Sequence, residues 1–390
     1  MSVTAAAGFS ANGVACGIKP SGDLDLSLVA ATRGQPVAAA AVFTQNKMTA
    51  APVVTTNAHL TLTGGRAVAV VLNSGCANAA TGPQGLADAQ RTTELVAAQL
   101  GCQADEVLVC STGLIGHGLP MDAIAGGVAA LVTGCTADGT GATAAAEAIR
   151  TTDTHRKETI ARGDGFVVGG MAKGAAMLAP NMATMLAVLT TDAAVEPAVL
   201  TEILRAGVAD SFNAMSSDGC TSTNDTVILL ASGEAGPPTD VRAFAAAVAE
   251  ACLDLATQMV GDAEGHTKVV TVTVAGALSD DDARVGARQV ADSQLVKCSW
   301  YGQDPYWGRV ASELGSAGIA FEADKLTVRY GDLVVAEGGV SVAADPAALA
   351  AYMRGDRLHV TAHLGLGDGT ARILTNDLTH AYVDENMGTS

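Results

Sequence analysis

The stretch Gly169-Gly-Met-Ala-Lys-Gly-Ala-Ala-Met-Leu-Ala-Pro-Asn-Met-Ala-Thr-Met-Leu-Ala-Val-Leu-Thr-Thr-Asp192 runs a polar, glycine-containing loop straight into an apolar strand, with Thr184 at the junction. Phe166–Val168 before the loop and Met185–Leu189 after it read as two short strands. Working outward, the same alternation of strand and helix continues in both directions. Arg66–Asn73 (RAVAVVLN) is a continuous apolar run, the mark of a strand buried on both faces. Leu86–Leu100 has helical periodicity, and Glu106–Ser111 (EVLVCS) reads as a strand. Pro120 suits a helix's first turn, and Glu147–Arg150 closes a further helix. On the C-terminal side, Ala198–Val208 and Val241–Val260 read as helices and Val227–Ala231 as a buried strand. Val270, Val272 and Val274 alternate with Thr271 and Thr273, the period of a half-buried strand. Leu326–Tyr330, Leu358–Leu364 and Ala371–Leu374 predict the last strands. The fold class is therefore α/β, and turn-rich Gly134–Gly141 and Gly233–Asp240 are the candidate boundaries.

Composition limits the function. A chain of 390 residues exceeds one small core, so two lobes are expected. With 49% hydrophobic and only 16% charged residues, it is not a disordered chain. Aromatics at 3% leave Ala, Val and Leu to build the core. A formal net charge of -18 repels phosphate backbones and anionic lipid, which predicts no nucleic-acid partner and no membrane partner. Met1–Lys19 lacks the pattern of a secretion signal, and no continuous run of about 18 apolar residues predicts a membrane span. The eight cysteines are scattered without a C-x-x-C pair, which fits reduced thiols and a cytoplasmic location. His359 and His363 fall at i, i+4 in a strand-like segment without a third ligand, so no metal site is expected.

The chemistry is sharpest at Thr184. A β-branched residue commonly begins a strand, and that is its ordinary reading. A threonine hydroxyl can also attack the carbonyl before it. The ester so formed hydrolyses, and the threonine becomes a new chain start. Its α-amine, with a reference pKa of about 7.7 to 8.0, can then take the proton from its own hydroxyl. Ala183 is small enough to leave the scissile carbonyl open, and Lys173 lies eleven residues upstream.

The residues around it extend the pattern. Lys173-Gly174, Met177, Pro180 and Met182-Ala183-Thr184-Met185-Leu186 resemble the cleavage motif of the ornithine acetyltransferases, or glutamate N-acetyltransferases. Further blocks follow in that family's order: Asn73-Ser74-Gly75 with Ala77-Asn78-Ala79, Cys110 to Gly116, Thr151-Thr152-Asp153, and Thr221-Ser222-Thr223-Asn224-Asp225-Thr226. Asp262 to Gly265, Asp304-Pro305 with Trp307 to Val310, and Gly367-Asp368-Gly369 complete the set.

The resemblance implies a two-lobed α/β protein cut between Ala183 and Thr184 into chains 1–183 and 184–390, which pair into a heterotetramer of two of each. It implies Thr184 as nucleophile for cleavage and acetyl transfer, and Thr112 with Gly113 as oxyanion hole. Lys173, Glu264 and one of Thr151 or Thr152 would hold the substrate, with Asn386 and Ser390 closing the site from the tail. The implied reaction is ping-pong: N-acetylornithine acylates Thr184, ornithine leaves, and glutamate takes the acetyl group, as in arginine biosynthesis. No cofactor or metal is implied; acetyl-CoA is a second donor in some members. The chain departs from the family pattern at Ala176, Cys76, Cys220, Tyr306 and Cys298-Ser299. Those departures leave room for a paralogue with a shifted acyl acceptor. Two rivals remain: a self-processing amidohydrolase or aminopeptidase with the same nucleophile, and a non-enzymatic binding protein.

Overall fold

The computed structural model describes residues 2–177 and 185–388. They form two compact units. The first holds the chain up to Asn213 together with Cys220–Met259; the second holds Ala214–Gly219 and the residues from Val260 onward. Both candidate boundaries read from turn residues, Gly134–Gly141 and Gly233–Asp240, lie inside the first unit instead. Glycine and proline mark local turns, whereas a unit boundary depends on where contacts stop.

The first unit is built on two sheets. One has four strands in the order Phe9–Val14, Leu26–Ala31, Ala69–Cys76 and Val107–Leu114, with only the last pair parallel. The apolar run at 66–73 explains its position: Val70 and Leu72 face one cluster while Ala69 and Val71 face another. The first cluster lies between the two sheets. It combines Phe9, Leu72 and Leu108 with Met171, Leu186, Val188 and Ile228 of the second sheet, and with Ala142, Ala145 and Ala146 of the helix Gly139–Ala148. The other face packs on Gly82–Leu100 and Met121–Thr133 through Val96, Ile124, Val128 and Leu131. Pro120 caps the latter helix rather than entering its first turn. The outer edge of Val107–Leu114 would expose unpaired backbone groups. The helix Ala51–Leu62 covers it: Thr56 Oγ1 donates to Val109 O at 2.7 Å and accepts from Val109 N at 2.8 Å.

The second sheet of this unit has six strands, ordered Arg66–Ala67, Val37–Phe43, Thr226–Gly236, Leu186–Ala193, Phe166–Lys173 and Lys157–Gly163. The two strands expected around the central loop are both longer than the sequence indicated, and they pair antiparallel, Lys173 opposite Leu186. The strands Thr226–Gly236 and Leu186–Ala193 run parallel at the middle of the sheet. Helix Val241–Val260 packs on this sheet, with Phe244 edge-on to Phe166 at 5.3 Å. By length and composition it could cross a membrane. Its buried residues Phe244, Val248, Ala251, Cys252, Leu255 and Met259 follow one helical stripe, as a core helix requires.

The second unit is a seven-stranded sheet ordered Met215–Ser216, Gly369–Asn376, Val269–Ala277, Arg357–His363, Thr327–Tyr330, Leu333–Glu337 and Val340–Ser341. Val270, Val272 and Val274 point into a cluster with Ala283, Val290, Trp300 and Leu314 from the covering helices. His359 and His363 stay on the exposed face.

Candidate active site

The parallel pair Ala69–Cys76 and Val107–Leu114 ends at a tight crossing of glycines. Gly75 stands opposite Gly113, and the register slips at Cys76. Gly113 has φ +129, and a Cβ there would lie 2.3 Å from the Gly75 carbonyl carbon. No side chain fits, so the backbone beside Thr112 stays bare. Thr112 itself is buried.

Lys173 ends the neighbouring strand Phe166–Lys173, only 2% exposed. Its Nζ donates to Thr151 Oγ1 at 2.7 Å and to Thr112 Oγ1 at 3.4 Å. A hydroxyl that accepts from an ammonium keeps its own proton for another acceptor. The Lys173 contact therefore leaves the Thr112 hydroxyl proton available for donation. Thr151 is joined to Lys173, and its amide N–H donates to Asp153 Oδ2 at 3.0 Å. Thr152 is exposed, with no comparable contact among the described residues. The geometry thus separates two neighbours that the sequence left equivalent.

Asp153 is the organiser that the sequence pattern contained but did not assign. Its Oδ1 accepts from Lys157 Nζ at 2.6 Å and from Gly174 N at 2.7 Å, and Lys173 Nζ lies 3.9 Å from Oδ2. All three ionisable side chains are buried. Burial pushes the Asp153 carboxyl up, but the charges of Lys173 and Lys157 outweigh it and hold it far below the usual carboxylate range. Two lysines against one aspartate leave the strand ends net positive, a field suited to a carboxylate or an oxyanion.

Asp225 meets the residue that follows Thr184. Its Oδ1 accepts the Met185 N–H at 3.0 Å, and its buried Oδ2 has no hydrogen-bond partner among the described residues. Burial raises its carboxyl well above the ordinary value, with the Met185 N–H, the Ser222 hydroxyl and the charge of Lys173 countering only in part. Asn224 beside it ties the strand ends together, donating to Ala77 O at 2.6 Å and Ser111 O at 2.8 Å.

Ala183, Thr184 and Ser390 lie outside the described residues. Ala176 is not among the residues with positive φ; Met177 is, at 52°. The alanine in the family's glycine position therefore carries no left-handed strain. Glu264 and Asn386 belong to the second unit and are joined there, Asn386 Nδ2 donating to Glu264 Oε2 at 2.8 Å. Glu264 also lines a cavity of about 150 Å³ with Ser217, Asp218, Lys297 and Asp377. Lys297 Nζ donates to Ser217 O at 2.6 Å, and burial pushes its ammonium down to about 8. Among the described residues no group of three His, Cys, Asp or Glu gathers as a metal site.

The fold and site define a mixed α/β protein whose strand ends gather hydroxyls, backbone and a buried lysine. The ArgJ family profile matches residues 10–388. An arginine biosynthesis bifunctional protein ArgJ from Mycobacterium bovis is 50% identical over 394 residues, covering 100% of this chain and 96% of that protein. The namesake from Streptomyces avermitilis is 49% identical over 391 residues, covering 100% of both. A solved ornithine acetyltransferase from Mycobacterium tuberculosis, complexed with ornithine, is 49% identical with a TM-score of 0.42, covering 46% of this chain and 94% of that one. The chain belongs to the ArgJ family.

Proposed function

We propose that this protein is the acetyltransferase of arginine biosynthesis that moves an acetyl group from N-acetylornithine to glutamate through an acetyl ester on Thr184. The observation that carries the reading is the Lys173–Thr112–Thr151 cluster beside the Met185 end of the Thr184–Met185 peptide. Thr184 Oγ attacks the Ala183 carbonyl, its proton passes to the departing nitrogen, and water cleaves the resulting ester. This yields chains 1–183 and 184–390. In turnover the freed amine takes the hydroxyl proton as Thr184 Oγ attacks the acetyl carbonyl of the donor. The Thr112 hydroxyl and the Gly113 N–H then face the developing oxyanion. Lys173 holds the α-carboxylate, and Thr151 steadies that lysine and meets the substrate. Glu264, with Asn386 bonded to it, supplies an anionic partner, and Ser390 closes the site. Ornithine departs with the proton; glutamate's amine then takes the acetyl group. The two chains pair as a heterotetramer in the cytoplasm, and acetyl-CoA serves as a second donor.

Two assays test this. The purified protein should run as two fragments on a denaturing gel, and Thr184→Ala should leave one intact chain. Without glutamate, N-acetylornithine should release no more than one ornithine per enzyme site; sustained release should need glutamate, with N-acetylglutamate formed in step. Sustained turnover without glutamate would make the protein an amidohydrolase instead. A wild-type chain that stays whole while turning over would remove Thr184 from the mechanism.

A further inference from the structure

A cavity of about 350 Å³ adjoins Thr151, lined by Lys19, Asp23, Leu24, Glu147, Arg150 and Thr151. Its construction centres on Asp25, which is fully buried. The Asp25 carboxylate accepts four successive backbone N–H groups: Cys16 at 2.7 Å, Gly17 at 3.1 Å, Ile18 at 2.6 Å and Lys19 at 3.0 Å. Burial works against that charge, yet these amides hold the carboxyl below its usual value. The loop at 16–19 is thereby wound around one side chain, and its last residue has a fixed exit direction. The Lys19 stem then lies across Gly75; a Cβ on that glycine would come 3.1 Å from Lys19 Cγ. Gly75 is the register partner of Gly113, so the stem crosses the strand ends that carry the oxyanion donors.

The charges around the cavity are unevenly committed. Arg150 donates from Nε and Nη2 to Asp153 O, at 3.2 and 2.7 Å, and from Nη1 to Glu147. Glu147 is neutralised on both oxygens, by Arg150 at 2.5 Å and Arg156 at 2.7 Å. Lys19 Nζ has one partner among the described residues, Leu24 O at 2.8 Å, and makes no ion pair there. The carboxylates of Asp25 and of Asp23, which also lines the cavity, favour the charged form of Lys19 without forming an ion pair with it among the described residues, so Lys19 is a cation of this cavity with donor capacity to spare, and through Thr151 the cavity adjoins Lys173.

We infer that this cavity is an anion subsite in which Lys19 receives the side-chain carboxylate of the acyl acceptor, so that Lys19 selects glutamate over uncharged analogues. The inference rests on the transferase reading above. A dicarboxylate acceptor presents two anions; Lys173 takes one and Lys19 the other. The donor, N-acetylornithine, carries a cationic side chain and gains nothing from Lys19. The residue thus acts on the second half-reaction alone. In ping-pong kinetics the two half-reactions have separate kcat/KM values, so the effect is separable.

The test is Lys19→Met, which keeps an apolar stem on Gly75 and removes the charge. Its kcat/KM for glutamate should fall about tenfold or more, while kcat/KM for N-acetylornithine changes less than twofold. The preference for glutamate over glutamine should shrink by the same factor, and Lys19→Arg should restore most of it. The unchanged donor half-reaction also reports a folded enzyme; Lys19→Gln gives the same split should the methionine variant fail to accumulate. If the wild type does not acetylate glutamate at all, the transferase reading fails first. If it does, and Lys19→Met leaves glutamate kcat/KM intact or lowers both half-reactions together, the subsite is overturned while the transferase stands.

Discussion

Replacing Asp153 by asparagine should be among the most damaging isosteric changes in this protein. Asp153 is the counter-charge of two buried lysines, Lys157 at 2.6 Å and Lys173 at 3.9 Å. Asparagine can keep one carbonyl oxygen toward Lys157 and Gly174 N. Its amide nitrogen then faces the Thr151 N–H and Lys173, donor against donor. Removing one partner of a buried ion pair costs about 3 to 5 kcal/mol, because the other charge stays buried without compensation. The retained oxygen places Asp153→Asn near the lower end, at about 3 kcal/mol. The sign with pH can be worked out. In the wild type the Asp153 carboxyl is held low, so its contribution is present above the ordinary carboxylate value of about 3.9 and disappears only as pH falls through the lowered folded value. The deficit of the variant should therefore shrink as pH falls below the ordinary carboxylate value, where the wild type begins to lose the same contribution. Urea unfolding of both proteins at pH 7 and at about pH 2.5 reads this directly. A loss below about 1 kcal/mol that is also independent of pH would show that the lysines do not depend on Asp153 and would refute the electrostatic account.

Thr112→Ala should lower turnover by about 10²–10³, the usual effect of losing one oxyanion donor, with Thr112→Ser recovering most of it; initial rates of ornithine release decide. Gly113→Ala should abolish activity, since its Cβ would lie 2.3 Å from the Gly75 carbonyl carbon; an active variant would mean that the strand crossing relaxes. Asp225→Ala strands the buried Met185 N–H and should cost about 1 to 3 kcal/mol, whereas Asp225→Asn keeps the acceptor and should cost less; equal denaturation midpoints for the two would refute that distinction. Lys297, held down to about 8, opposes folding while charged, so wild-type stability should gain up to about 3 kcal/mol relative to Lys297→Met as pH rises from 8 toward 10.5; parallel pH curves would contradict it.

The sequence carried much of this architecture where apolar pattern alone sets the element. Arg66–Asn73 is continuous because both faces of its strand are covered, and Val270 to Val274 alternate because one face is open. Helix Val241–Val260 has the bounds read from its sequence. The N-terminal strands were not legible. Phe9–Val14 is FSANGV and Val37–Phe43 is mostly alanine, and only pairing with distant strands makes either extended. Lys173, Thr112, Gly113 and Thr151 were found through the family's motifs and converge in the structure. Asp153 and Asp225 sat inside those motifs without a role, because Lys173 and Gly174 lie 20 and 21 residues from Asp153, Met185 lies 40 from Asp225, and only folding brings and buries them together. Lys19 had no local signal at all. Its importance comes from Asp25 and Gly75, which the fold brings to it.

The order of strands in the six-stranded sheet has a consequence for a chain parted after residue 183. Val37–Phe43 and Phe166–Lys173 come from before that point, and Thr226–Gly236 with Leu186–Ala193 from after it, so the later pair is held between the earlier ones. Separating the pieces would tear two ladders at once and leave apolar strand edges bare on both sides. Neither piece owns the whole of this six-stranded sheet. The cut would therefore remove a covalent tether without making two proteins, and pieces produced apart should be insoluble until they meet. For a chain cut there, this weave favours closing the sheet before the backbone is opened, because an uninterrupted chain brings the two pairs of strands together without a bimolecular search.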